Sequence, residues 1–285
     1  MTITRGADKT TLDRLQDLPK IDWAEGQPIP ETESALMSFE DGGFKFDFLW
    51  RPKEGADRLF VLFSGDALRA KNDPPVFQRW SWAKHFPGHC LYISDPTLHL
   101  NDEMGLAWYA GTESYDPMVV IADRLKAIAG QIGLSTDRIV SYGSSGGGFA
   151  AIRLQSFLSD ILAISINPQT CITKYKSRAV PHYFDVCFSG RSRKAMLEEF
   201  PSQINLMANA DALTGDRIIY AQNTVDTHHL EDHFTPFCEA MGQSANHDPD
   251  SSGLHRILFD NEGGHKKAED PETFTKIMEL VENLD

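Results

Sequence analysis

The chain has 285 residues, 41% of them hydrophobic and 24% charged, which is ordinary globular composition and excludes a mostly disordered or fibrous protein. Twenty-seven Lys and Arg stand against 41 Asp and Glu, a net charge of −14 that opposes binding to nucleic acid or to anionic membrane surfaces. Four cysteines, Cys90, Cys171, Cys187 and Cys238, lie scattered without C-x-x-C spacing, so neither a zinc knuckle nor a disulfide scaffold is expected, and a cytoplasmic location with reduced thiols is the simplest reading.

Residues 1–34 read as an N-terminal arm. They are polar, broken by Pro19, Pro28 and Pro30, without the apolar core of a cleavable signal, and are expected to pack through Ile21 and Trp23. No apolar run anywhere approaches the length of a membrane span. The runs "SALMSF" and "FKFDFLW" around "EDGG" predict a β-hairpin. Continuous apolar runs follow, "DRLFVLFSG", "HCLYISD", "RIVSYGSS", "ILAISINP", "RIIYAQN" and "HRILFD", the pattern of strands buried on both faces. Helical periodicity falls between several of them: in "PMVVIADRLKAIAGQIG", in "GGFAAIRLQSFLS" and in the last segment, "PETFTKIMELVENL". One mostly parallel sheet of about eight strands over residues 35–285 is expected, with a short cap excursion at about 169–212, where basic and aromatic residues mix without clean periodicity.

Gly143-Ser144-Ser145-Gly146-Gly147 stands between an apolar strand and an apolar helix and matches G-x-S-x-G. A serine on a sharp strand-to-helix turn crowds the residues two before and two after it. Gly143 and Gly147 relieve that crowding around Ser145, whereas Tyr142 would crowd Ser144. A serine hydroxyl needs a base, and His265 in "NEGGHKK" after the last strand fits; the base needs a carboxylate to fix its tautomer, and Asp226 after the preceding strand is favoured over Asp232 and Asp260. The N–H groups of Gly146 and Asp66, the latter in "SGDAL", are the expected oxyanion donors, with Ala67 as the alternative to Asp66. His228, His229 and His233 form a cluster in which His229 and His233 have the spacing of metal ligands, but H-E-x-x-H is absent and polar packing is the expectation, with no metal. Trp80, Trp82, Trp108, Tyr109, Tyr183, His99 and Arg178 are left without a role.

Together, "YGSSGGG", "NTVD" and "EGGH", in that order along the strands, resemble the α/β-hydrolase superfamily. The resemblance implies Ser145 as nucleophile, His265 as general base, Asp226 as orienting acid and no cofactor. The compact cap, the short "SGDA" in place of an HGGG run and "VDTHHLEDHF" are similar to bacterial hydrolase-like proteins linked to glycan modification. The expected activity is a serine hydrolase acting on a small-molecule or glycan carboxylic ester. An O-acyltransferase to sugar hydroxyls and a noncatalytic binding protein on the same scaffold are the alternatives.

Overall fold

The structure is a computed structural model that describes residues 15–24, 26–245, 253–267 and 269–284. The first fourteen residues of the expected arm lie outside the described residues. The chain runs through β1 (Lys20–Asp22), β2 (Ala35–Asp41), β3 (Phe44–Arg51), β4 (Leu59–Phe63), β5 (His89–Ile93), α1 (Pro117–Gln131), β6 (Ile139–Ser144) and α2 (Gly146–Arg153). It continues through β7 (Leu162–Ile166), α3 (Ala179–Cys187), α4 (Arg193–Glu199), β8 (Ile218–Asn223), α5 (Thr235–Ala240), β9 (His255–Phe259) and α6 (Pro271–Asn283). The segment expected as a cap excursion is helical, built from α3, α4 and short turns.

One nine-stranded sheet has the order β1-β2-β3-β5-β4-β6-β7-β8-β9. The hairpin strand β3 is antiparallel to both neighbours, and every other pairing is parallel. The ninth strand is β1, three residues inside the segment read as an arm; Trp23 just after it is buried, as expected, and Ile21 is half-buried. The central strands β4 and β7 are buried at every position because helices cover both faces, which is why their sequences run apolar without alternation. Among the described residues, no helix is long and apolar enough to cross a membrane.

Leaving β4, the chain first builds β5 on one side and then crosses to β6 on the other. The crevice at the carboxyl ends of β4 and β6 is the switch point where open α/β sheets place their ligands. Register brings Phe63 opposite Gly143, so the loop after β4 and the turn after β6 leave the sheet side by side.

Candidate active site

Ser145 joins β6 to α2 with φ 55° and ψ −122°, a conformation that costs a non-glycine residue on the order of 1–3 kcal/mol. Its surroundings hold it there: its N–H donates to Ile166 O at 3.0 Å, and Phe149 N–H donates to its carbonyl at 3.2 Å. The flanking glycines are a steric necessity. A Cβ on Gly143 would stand 2.2 Å from Gly147 O, and one on Gly147 would stand 2.5 Å from Phe63 O. Ser144 is turned away, its hydroxyl accepting from Arg79 Nη2 at 2.5 Å.

The structure brings Ser145, His265 and Asp226 together. His265 Nε2 lies 2.9 Å from Ser145 Oγ, and His265 Nδ1 lies 3.1 Å from Asp226 Oδ2. Asp226 caps the short helical turn Thr227–His229, its Oδ1 accepting from His229 N–H at 3.3 Å, and this leaves Oδ2 for the imidazoles. Burial alone would raise its pKa, but hydrogen bonding from His229 and His265 outweighs burial and holds the carboxyl well below the usual carboxylate range. The other two carboxylates considered lie elsewhere: Asp232 pairs with Lys176 at 2.6 Å and His228 at 2.8 Å, and Asp260 is exposed at the end of β9.

Two tethers fix the loop that carries His265. Asn223 at the end of β8 donates through Nδ2 to Asn261 O at 2.8 Å and Gly264 O at 3.1 Å, and accepts from Asn261 N–H at 3.1 Å. Four residues beyond His265, Glu269 receives the buried guanidinium of Arg79, with Nε 2.6 Å from Oε2 and Nη2 on Oε1. Arg79 thus connects the turn before Ser145 to the loop of His265.

Of the expected donors, Gly146 opens α2, so its N–H has no acceptor within the helix. Asp66 keeps its carboxylate turned back on its own loop, Oδ1 accepting from Leu68 N–H at 2.8 Å. Ala67 is not the alternative donor, because its N–H is given to Gly105 O at 2.8 Å. A cleft of about 480 Å³ opens beside this loop, lined by Asp66, Leu106, Arg178 and His182 among others.

The histidine cluster packs through polar contacts, the expected use. His229 and His233 do not converge: His229 Nε2 meets Gln169 Nε2 at 2.9 Å, whereas His233 Nδ1 accepts from Thr170 N–H at 3.2 Å. Asp226, His229 and His265 do offer ligand atoms within 4.8 Å of one another. The two rings are parallel within 12°, however, so their lone pairs run side by side instead of meeting at one point as a tetrahedral ion needs. His229 Nδ1 instead lies 2.9 Å from Asp226 Oδ2.

Three site residues escaped the sequence reading: Arg79, Glu269 and Gln169. Gln169 is fully buried, with Nε2 2.9 Å from Ser145 Oγ and Oε1 accepting from Trp108 Nε1 at 3.0 Å. Its one sequence signal was position, three residues past the carboxyl end of β7 on the site side. Trp108 is one of the aromatics to which the sequence assigns no role. Tyr109 and Tyr183 are core, Trp82 packs on Phe274, and His99 pairs with Asp47.

The chain is similar in structure to a chain of the Glycosylation Associate Protein (Gap123) complex from Streptococcus agalactiae, with TM-score 0.64 and 14% identity over 86% of this chain and 45% of that one. It is similar to the acetyl xylan esterase from Paenibacillus sp. R4, with TM-score 0.58 and 15% identity over 96% and 91% of the two chains. A third neighbour is the capsule O-acetyltransferase of Neisseria meningitidis serogroup A, with TM-score 0.57 and 16% identity over 91% and 96%. The fold is the α/β-hydrolase fold. The hydrolase-fold chain spans less than half the length of the Streptococcus chain. No family model matches the sequence, and no curated protein matches it. The three neighbours are by name a glycosylation-associated protein, an acetyl xylan esterase and an O-acetyltransferase, and at 14–16% identity the likeness to them is one of fold.

Proposed function

We propose that the protein is a serine esterase that cleaves a carboxylic ester, most naturally an acetyl ester on a glycan or small molecule, through an acyl-enzyme on Ser145. The observation that carries the reading is the unbroken contact from Asp226 Oδ2 through both nitrogens of His265 to Ser145 Oγ. In this reading, His265 Nε2 takes the Ser145 proton as Oγ bonds to the acyl carbon and the carbonyl electrons move onto oxygen. The N–H groups of Gly146 and Asp66 face that charge. As the carbonyl re-forms, the carbon–oxygen bond to the alcohol breaks and His265 returns the proton to the leaving oxygen. Asp226 holds Nδ1–H so that Nε2 is the basic nitrogen. Water activated by His265 then releases the acid.

A second reading, transfer of the acyl group to a sugar hydroxyl, uses the same intermediate and is favoured by the likeness to the capsule O-acetyltransferase. A cytoplasmic protein fits the four cysteines, all free and buried. The test is turnover of 4-nitrophenyl acetate with and without sugar acceptors. Asp226→Asn should lose roughly 10⁴-fold in kcat through the wrong His265 tautomer. Free acetate as the sole product marks a hydrolase, and acetylated sugar marks a transferase. An Asp226→Asn variant as active as wild type would contradict both.

A further inference from the structure

We propose that the side-chain amide of Gln169 is a catalytic hydrogen-bond donor of this site, adding a side-chain N–H to the two backbone donors; the proposal rests on the acyl-enzyme reading above. One atom in the site has only one choice of role. Trp108 Nε1 is a donor and nothing else, and it points at Gln169 from 3.0 Å, so the atom it meets must be the amide oxygen. The reversed amide would set N–H against N–H in a fully buried place.

With the amide fixed, its nitrogen holds two protons and has two neighbours, Ser145 Oγ and His229 Nε2, each at 2.9 Å. Both must accept. His229 is therefore protonated on Nδ1, facing Asp226, and neutral, in agreement with the burial that lowers its pKa. Ser145 Oγ, accepting from Gln169, directs its own proton to His265 Nε2, and His265 carries its other proton on Nδ1, again toward Asp226. One indole N–H thus sets the direction of the hydrogen bonds that run from Gln169 to His229 and through Ser145 to His265, and the direction it sets is the one in which His265 is ready to take the Ser145 proton.

The donation to Oγ also has a consequence during reaction. When Oγ bonds to the acyl carbon and passes its proton to His265, it becomes a weaker acceptor, while negative charge appears on the oxygen bound to the same carbon. An N–H already held at Oγ reaches that oxygen by a small tilt about its two anchors, Trp108 and His229. Because both anchors are buried, at 0% and 2% exposure, the donor is held close to that oxygen before attack and needs only that tilt. A residue that only pins the loop after β7 would have no need to spend an amide proton on Ser145.

The experiment compares wild type, Gln169→Met, which keeps the volume and removes the donor, and Gln169→Glu, which keeps the shape and places a carboxylate at Oγ. Turnover of 4-nitrophenyl acetate and inhibition by an aryl trifluoromethyl ketone, whose adduct carries the oxyanion, are measured on each folded protein. We expect kcat/KM to fall about 10²- to 10³-fold in Gln169→Met, mostly in kcat, with ketone affinity falling in parallel and KM little changed. Gln169→Glu should be no better. Gln169→Met within threefold of wild type in both readouts overturns the proposal. So does a loss confined to thermal stability or KM with ketone affinity per active site unchanged. If Gln169→Met does not fold, Gln169→Glu decides alone, and wild-type-like turnover and ketone affinity in it overturn the proposal equally. Absence of turnover and of ketone binding in wild type itself contradicts the acyl-enzyme reading instead.

Discussion

His229 and His265 stack face to face, ring centroids 4.1 Å apart and planes within 12°, above the single carboxylate of Asp226. The two imidazoles come from different segments of the chain, His229 from the turn after β8 and His265 from the turn after β9, and play different parts. His265 is half-buried and reaches Ser145, whereas His229 is buried and reaches Gln169. Asp226 serves both because its other oxygen is occupied as a helix cap, which fixes the carboxylate plane.

Replacing His229 by Phe keeps a ring for the stack but removes both nitrogens. Gln169 then has a buried N–H without an acceptor, which costs about 1–3 kcal/mol. We expect urea denaturation to show a loss of that size and kcat to drop with little change in KM, since no substrate contact is removed. Unchanged stability and kcat would refute the positioning role of His229.

Arg79 and Glu269 form a nearly buried ion pair, with side chains 6% and 11% exposed, that ties Ser144 to the loop of His265. Removing one partner leaves a charge stranded, so Arg79→Met should cost about 3–5 kcal/mol. The double variant Arg79→Met with Glu269→Leu should recover most of that stability without recovering activity, because the loop of His265 keeps only the Asn223 tether. Denaturation of the two single variants and the double variant, with kcat on each, tests this; a cost below about 1 kcal/mol for Arg79→Met would contradict it.

His233 makes stability fall in acid. Burial pushes its pKa down to about 3, with His229 and His228 beside it acting in the same direction and Asp232 and Asp226 opposing. Its Nδ1 accepts from Thr170 N–H, and protonation would turn that acceptor into a donor facing a donor. The unfolded chain takes up the proton near pH 6.5, so between about 6.5 and about 3 the unfolded state binds more protons and stability falls as pH falls. Asp95 acts in the opposite sense. Fully buried, with its pKa raised to about 6 by burial, it removes stability as pH rises from about 4 to about 6. The informative quantity is therefore the difference between His233→Asn, which keeps an acceptor near Nδ1, and wild type. From pH 6.5 to 4.5 the variant should lose less stability, by a slope of about one proton; equal slopes would contradict the account.

The readability of the sequence followed the range of each constraint. Ser145 was legible because a sharp turn imposes its demand on residues two positions away, and only glycine at 143 and 147 avoids the close backbone contacts. Asp226 and His265 were legible from chain order and from their place after strand ends. Gln169, Arg79 and Glu269 were not, because each acquires its partners through strand register and loop approach across 24 to 190 positions, which leaves no local pattern. Strand β1 was missed for another reason: three residues paired along one edge are too few to show a period. Polar packing of the histidine cluster was legible, but its partners were not, since helical spacing brings His229 and His233 near each other without saying that Gln169 and Thr170 would meet their nitrogens.

The central claim is that Ser145 is an activated nucleophile. Intact-mass measurement after incubation with a fluorophosphonate tests it most directly, with wild type and Ser145→Ala side by side. The account predicts one adduct on wild type, with loss of fluoride, and none on the variant. A folded wild-type protein that stays unmodified, or an adduct that persists in Ser145→Ala, would contradict it.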